Sequence, residues 1–318
     1  MPPPVNDHGR GRNMLKVQPI LPRFGAELSG VDISKPLSDA DSKAILDAMA
    51  QWGVCVFRDT GLDDDSHIAF SRIFGHIELA PLRGGARTRL NHRELFDASN
   101  LDADGNILTD PGMLLHKKGD GLWHSDSSFM EIRSSYALLL CHEAPKEGGE
   151  TWFADTRSAY DDLPQAMKDR IEGLVGEHSL WESRRKGGVP LTDADVVERG
   201  LVRHPVVMEH KASGRKALYV GAHTRSIVGM GLEESRALIR DLVEFATQPQ
   251  YVIKVKYAPG DLSIWDNLCS LHRGGEYDSL HERRDMRRTT IRETYEAGQP
   301  EDPFAKVLDF KLKTLEDA

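Results

Sequence analysis

The chain has 318 residues, with 41 Lys+Arg against 50 Asp+Glu and a formal net charge of −9. Hydrophobic residues make up 39% and charged residues 29%, which excludes wholesale disorder, and the acidic balance argues against a nucleic-acid partner. The longest apolar run, around Tyr136–Cys141, is far short of the ~20 residues that span a bilayer, so no membrane partner is expected.

In chain order, the Pro/Gly/Arg-rich segment 1–13 lacks an apolar core and reads as a disordered N-terminal tail, followed by a single domain over 14–318. Strands are expected at Met14–Ile20, Val54–Arg58, Tyr136–His142, Thr151–Ala154, Ala217–Val220, Tyr251–Tyr257, Leu262–Asp266 and Arg287–Glu293, all rich in β-formers and bounded by Gly, Pro or Asp. One helix follows Ser38, which can cap it, and shows Ile45, Leu46 and Met49 on one face. Others are expected over Asp64–Phe74, ending at Gly75, over Pro164–Val175, and over Glu233–Ala246, where Leu238, Leu242 and Phe245 recur at helical spacing. Cys55, Cys141 and Cys269 sit in apolar strand-like runs and read as small buried hydrophobes of a reducing, cytoplasmic protein.

The strands do not alternate with helices, and no G-x-G-x-x-G or Walker loop is present. The pattern fits a mainly β fold with flanking helices, its antiparallel sheet closed or doubled on itself. The Gly-rich segments Arg83–Arg87 and Lys186–Val189 read as surface loops.

Chemistry enters with Leu122-Trp-His-Ser-Asp126. On a strand, residues two apart share a face, so His124 and Asp126 would converge on one point as two ligands of a facial two-histidine, one-carboxylate iron site. Chance alone gives roughly two His-x-acid pairs in such a chain. Three occur: His76/Glu78, His92/Glu94 and His124/Asp126, the first two falling in a helix end and a polar loop. What singles out His124 is the downstream run Gly260–Asn267, read as a strand, followed by Ser270-Leu-His-Arg273, from which His272 would supply the third ligand across the barrel. The next run, Arg283–Thr290, leads into a strand whose alternation places Arg284, Met286 and Arg288 on one face and Arg283, Asp285 and Arg287 on the other. An apolar Met286 marks its face as inward. Two inward arginines need anions. A structural carboxylate would satisfy either; a dicarboxylate cosubstrate and an anionic substrate would satisfy both. The alternative is a solvated basic strand edge.

Together these residues resemble the TauD/TfdA family of iron(II)- and 2-oxoglutarate-dependent dioxygenases, from about Leu15 to Arg292. Several motifs look most like the aryloxyalkanoate branch, which includes the dichlorophenoxyacetate dioxygenases. They are Leu122-Trp-His-Ser-Asp-Ser-Ser-Phe129, Gly148-Gly-Glu-Thr151 with Phe153-Ala-Asp-Thr-Arg-Ser-Ala-Tyr160, Ser213-Gly-Arg-Lys216 with Gly221-Ala-His223, and Trp265-Asp-Asn267 with Leu271-His-Arg-Gly274. Leu268 and Met208 depart from the pattern, and the 79–118 loop aligns poorly.

The resemblance implies a double-stranded β-helix (jelly-roll) core. It implies that His124, Asp126 and His272 bind Fe(II) and carry catalysis, and that Thr151, Arg284 and Trp265 hold 2-oxoglutarate, Trp265 having plain core packing as its other reading. It further implies that Arg288 holds the acidic group of the substrate, with His210 and His223 as substrate-binding residues of the aryloxyalkanoate branch. The expected reaction uses O2, hydroxylates a small anionic, carboxylate-bearing substrate and releases succinate and CO2. The same chemistry on a sulfonate or a secondary-metabolite acid, and a catalytically silent jelly-roll binding protein, are the alternatives. The oligomeric state stays open, a homo-oligomer included.

Overall fold

The computed structural model describes residues 14–80 and 88–293. The expected tail 1–13, the Gly-rich segment 83–87 and the end of the expected domain, 294–318, lie outside the described residues.

The chain opens with β1 (Lys16–Pro19) and β2 (Ala26–Ser29), then α1 (Asp39–Trp52) and β3 (Val54–Phe57). Ser38 caps α1 as expected, its hydroxyl accepting from the Asp41 N–H, and the helix stops at Gly53, whose φ of +69° is open to glycine. Ser38→Ala should cost about 1 kcal/mol, read as a lower urea midpoint with an unchanged slope. Next come α2 (Asp64–Ser71), extended by a 3-10 turn to Phe74, β4 (Phe96–Asp97), α3 (Pro111–Lys117), β5 (Ser134–Glu143), β6 (Thr151–Asp155), α4 (Thr156–Asp162) and α5 (Gln165–Ile171). The helix expected over Pro164–Val175 is shorter, because Gly173 takes φ +74° and Val175 already begins a strand.

That strand is β7 (Val175–His178), followed by α6 (Leu180–Lys186), α7 (Asp193–Glu198), β8 (Val202–Pro205), β9 (Val207–His210), β10 (Arg215–Leu218) and β11 (Thr224–Ile227). The chain then runs through α8 (Leu232–Ala246), β12 (Val252–Val255), β13 (Leu262–Asp266), β14 (Ser270–Gly274) and β15 (Asp285–Arg292).

A seven-stranded sheet runs in the order β1-β2-β3-β13-β5-β15-β4, and β12-β6-β14 forms a three-stranded sheet. Every pairing among the named strands is antiparallel except β2 with β3. Side-chain alternation splits the large sheet cleanly. Val54, Val56, Ala137, Leu139, Trp265 and Met286 face Phe153, Ile253 and Val255 of the small sheet across one core. Cys55, Phe57, Leu138, Leu140, Leu262 and Ile264 point the other way, onto α1 and α2. The sheet is thus doubled, not closed: its hydrogen-bond ladder among the described residues ends at β1 and β4, which corrects the barrel picture. A third core lies under α4, α5 and α8. All three cysteines are buried and unpaired.

Candidate active site

His124 sits at a single antiparallel bridge to His272, the two residues exchanging backbone hydrogen bonds of 3.0 and 2.8 Å. The expectation that His124 and Asp126 share a strand face needs correcting. Only His124 pairs; Asp126 lies in the turn that follows, where Ser127 adopts φ +52°. Convergence comes from the turn, which Asn267 pins: its Oδ1 accepts from the Asp126 N–H and the Trp265 indole, each at 3.0 Å. Ser125 Oγ donates to the Asn267 carbonyl at 2.5 Å. The same turn that carries Asn267 leads into β14, so one short segment, 265–272, aims both the carboxylate and the second imidazole.

The result is a buried set of three ligand atoms, from His124, Asp126 and His272, all within 4.8 Å of one another. His272 Nε2 lies 3.6 Å from Asp126 Oδ2, and His124 Nε2 lies 4.0 Å from Asp126 Oδ1. The His124 Nδ1 faces the Leu122 carbonyl at 2.7 Å; a carbonyl only accepts, so Nδ1 holds the proton and Nε2 offers its lone pair to the cluster. Burial, with the His124 ring beside it, pushes the His272 imidazole well below its ordinary range and keeps it neutral.

An arginine stands against this set. Arg288 Nη1 donates to Asp126 Oδ1 at 2.6 Å, and its guanidinium carbon lies 4.9 Å from the centre of the Phe96 ring. The strand β4, drawn from the poorly aligned 79–118 loop, pairs with β15 in the register Arg288↔Phe96. Edge-on against His124, at 5.6 Å between ring centres, is His223, which also meets Phe129 at 4.8 Å. Its imidazole is pushed well below the ordinary range by burial and by His124. The approach is permitted by Gly221, where a Cβ would come within 3.3 Å of the His124 Cα. Lys186 braces the His223 loop, donating to the carbonyls of Ala222 and Thr224. The second Gly-rich segment is therefore packed at its first residue, not a plain surface connection.

On the other flank, Trp265 lies 4.8 Å from the His272 ring and packs in the core between the two sheets. Arg284 precedes β15, whose register is interrupted between Asp285 and the fully buried Met286, so its position comes from side-chain bonds and not from strand alternation. Its Nε donates to the Gly149 carbonyl at 3.1 Å, two residues before the buried Thr151. Tyr257 completes this corner. Its hydroxyl bonds Ser263 Oγ at 2.7 Å, with Thr151 and the Arg284 charge alongside, and burial raises its pKa. The outer face of β15 is no solvated basic edge: Arg287 pairs with Asp64 at 2.5 Å, and Asp285 with Arg89 at 2.5 Å.

His210 is not brought to this cluster. Its Nε2 bonds Asp266 Oδ2 at 2.8 Å and its Nδ1 meets Ser213 Oγ at 2.7 Å, on the face of β13 opposite Trp265. Glu78 is the residue the sequence reading passed over. It follows the Ile77↔Ile291 bridge beside β15, and its carboxyl accepts from Ser127 Oγ at 3.3 Å. Burial raises its pKa, while Arg292 and Arg288 pull the other way. The position of Tyr257 in this corner was missed as well, since a tyrosine at the end of an expected strand carries no motif.

The profile of the family described as "Taurine catabolism dioxygenase TauD, TfdA family" matches residues 16–290. The chain belongs to the TauD/TfdA family. As a TauD/TfdA enzyme it is an α-ketoglutarate-dependent dioxygenase, an oxidoreductase that uses Fe(II), 2-oxoglutarate and O2. It is 38% identical over 272 residues to the α-ketoglutarate-dependent 2,4-dichlorophenoxyacetate dioxygenase of Burkholderia sp. (strain RASC), covering 85% of this chain and 91% of that enzyme. It is 34% identical to the (S)-phenoxypropionate/α-ketoglutarate-dioxygenase of Sphingobium herbicidovorans, across 84% of this chain and 91% of the relative. Among solved structures, AAD-2 in complex with Mn(II) and N-oxalylglycine superposes with a TM-score of 0.80 at 37% identity, over 90% of this chain and 100% of that one. Among the described residues of this TauD/TfdA dioxygenase, no helix is long and apolar enough to cross a membrane.

The donor set fits a ferrous ion. Two imidazole nitrogens and a carboxylate converge, and Asp126 Oδ2 is buried with no hydrogen-bond partner, an oxygen that folding leaves unsatisfied and a cation would satisfy.

Proposed function

We propose that this dioxygenase hydroxylates a small carboxylate-bearing substrate of the aryloxyalkanoate class. The observation that carries the reading is the juxtaposition of the Arg288 guanidinium, 2.6 Å from Asp126 Oδ1, with the three-residue metal set. A cation placed there lies beside the reacting centre, so a substrate gripped through its acid is held with its neighbouring C–H group close to the metal. Relatives named for dichlorophenoxyacetate and phenoxypropionate support the same class.

In this reading His124, Asp126 and His272 hold the iron. Arg284 and Thr151 hold the distal carboxylate and one oxygen of 2-oxoglutarate, and Trp265 walls that pocket. Fe(II) with 2-oxoglutarate and O2 supplies the oxidising chemistry when bound, releasing succinate and CO2. The chain's own work is placement. Arg288 orients the acid, while Phe96 beneath its guanidinium keeps water off the cation. His223 and Phe129 give the aryl group an aromatic wall. His210 acts through Asp266, steadying the turn that carries Asn267 instead of touching substrate. The facing sheets are read as a double-stranded β-helix within one catalytic domain, and the unpaired cysteines suit a cytoplasmic setting.

The test is succinate release from 2-oxoglutarate across a panel of aryloxyacetates, aliphatic carboxylates and sulfonates, with an anaerobic titration of Fe(II) and 2-oxoglutarate alongside. A weak visible charge-transfer band and at least about tenfold stimulation of succinate by aryloxyacetates are expected. Stimulation by sulfonates alone would overturn the substrate class, and absence of the band would overturn the metal assignment.

A further inference from the structure

Glu78 lies on no motif, yet the fold delivers its carboxyl to the anion-binding wall. Three main-chain contacts fix it. Ile77 bridges Ile291, the Glu78 N–H donates to the Thr290 carbonyl at 2.7 Å, and the Arg292 N–H donates to the His76 carbonyl at 3.0 Å. The side chain is thereby held against β15 within electrostatic reach of Arg288 and Arg292, while Ser127, the residue after Asp126, donates to it.

The local charge balance has a consequence for substrate. Arg288 already carries one carboxylate, Asp126, at 2.6 Å. An incoming acid must take up the remaining donors of that guanidinium while a second carboxylate, Glu78, stands nearby in a site where water screens poorly. The backbone register fixes where the Glu78 side chain starts, and the hydrogen bond from Ser127 aims its carboxyl. When ionised, Glu78 thus adds a negative charge to the wall where a negative substrate binds, although burial raises its pKa.

We infer that Glu78 is a specificity-determining residue, its carboxylate competing with the incoming acid for Arg288 so that the pocket weakens its grip on anions. The inference rests on the reading of Arg288 as the anion anchor. The penalty limits how tightly product and stray carboxylates are retained, and it admits anions whose aryl group adds binding of its own against His223 and Phe129.

The experiment compares phenoxyacetate with phenoxyacetamide, the same shape without the charge, by calorimetry on protein loaded with Mn(II) and N-oxalylglycine. The wild type is expected to prefer the acid over the amide. Glu78→Gln should tighten phenoxyacetate by about tenfold and leave phenoxyacetamide within about twofold. Glu78→Asp, which keeps the charge, should leave both near wild type. Should Glu78→Gln fail to fold, Glu78→Ala removes the same charge and is read by the same acid-to-amide ratio. An unchanged or weakened acid affinity in the charge-removing variants, with the wild-type preference intact, overturns the inference alone. A wild type that binds acid and amide equally overturns the Arg288 anchor, and the role of Glu78 with it.

Discussion

Asp126→Ala should lower 2-oxoglutarate turnover by at least about a thousandfold, to background, without unfolding the chain. Asp126 is the negative member of the ligand set and the partner of the Arg288 guanidinium, and both of its oxygens are committed to that neighbourhood. Its Oδ2, buried and without a hydrogen-bond partner, is the atom a divalent cation would satisfy. Two imidazoles left alone would hold the metal weakly and, lacking a carboxylate, would not offset its charge. Mn(II) binding measured calorimetrically in the absence of 2-oxoglutarate should fall by at least about a hundredfold, a readout independent of turnover. The backbone of the turn is held by the Asp126 N–H to Asn267, which alanine preserves, so the circular-dichroism spectrum should match wild type. Turnover at the wild-type rate would refute the metal assignment.

Much of this site was legible because it depends on local pattern. Alternation along β15 put Met286 and Arg288 on one face, and burial of Met286 bears out the inward face, whereas Arg284 precedes the strand and is placed by its own hydrogen bonds. The His-x-Asp spacing picked a pair that the fold does bring together, for an inexact reason. The sequence suggested a strand, whereas the geometry is one bridge followed by a turn with Ser127 at positive φ, closed by an asparagine far away in the chain. What escaped detection depends on long-range register. His76 and Glu78 resemble a helix end when read locally; only pairing with Ile291 and Thr290 turns the carboxyl toward Ser127. His210 and His223 looked equivalent as motif histidines. The hairpin of β9 with β10 carries His210 to Asp266, whereas the contact of Ala222 with Trp123 carries His223 to His124. Likewise the strands were legible one by one, but the division into two facing sheets follows from which strand pairs with which, and composition does not encode that.

Arg284→Gln tests the other half of the pocket and should raise the KM for 2-oxoglutarate by roughly a hundredfold while leaving the KM for the acid substrate nearly unchanged. The separation follows from geometry. Arg288 lies within β15 and Arg284 just before it, and their surroundings differ. Arg288 is bound to Asp126, whereas Arg284 points toward Gly149, Thr151 and Tyr257 at the opposite flank of Trp265. Its Nε and Nη1 are turned to the carbonyls of Gly149 and Ala98, so the guanidinium is oriented by neutral acceptors that do not discharge it. No carboxylate is bonded to it among the described hydrogen bonds, which is the arrangement expected of a cation kept for an anion that arrives with the cosubstrate. Glutamine keeps polarity and approximate length but loses the charge. The variant should therefore also lose its preference for 2-oxoglutarate over shorter 2-oxo acids that lack the distal carboxylate. Competition between 2-oxoglutarate and 2-oxobutyrate, followed through the two acid products, measures that preference directly. A variant that still favours 2-oxoglutarate as the wild type does would move the anchoring role away from Arg284, to Tyr257 and Thr151 as the remaining polar groups of that corner.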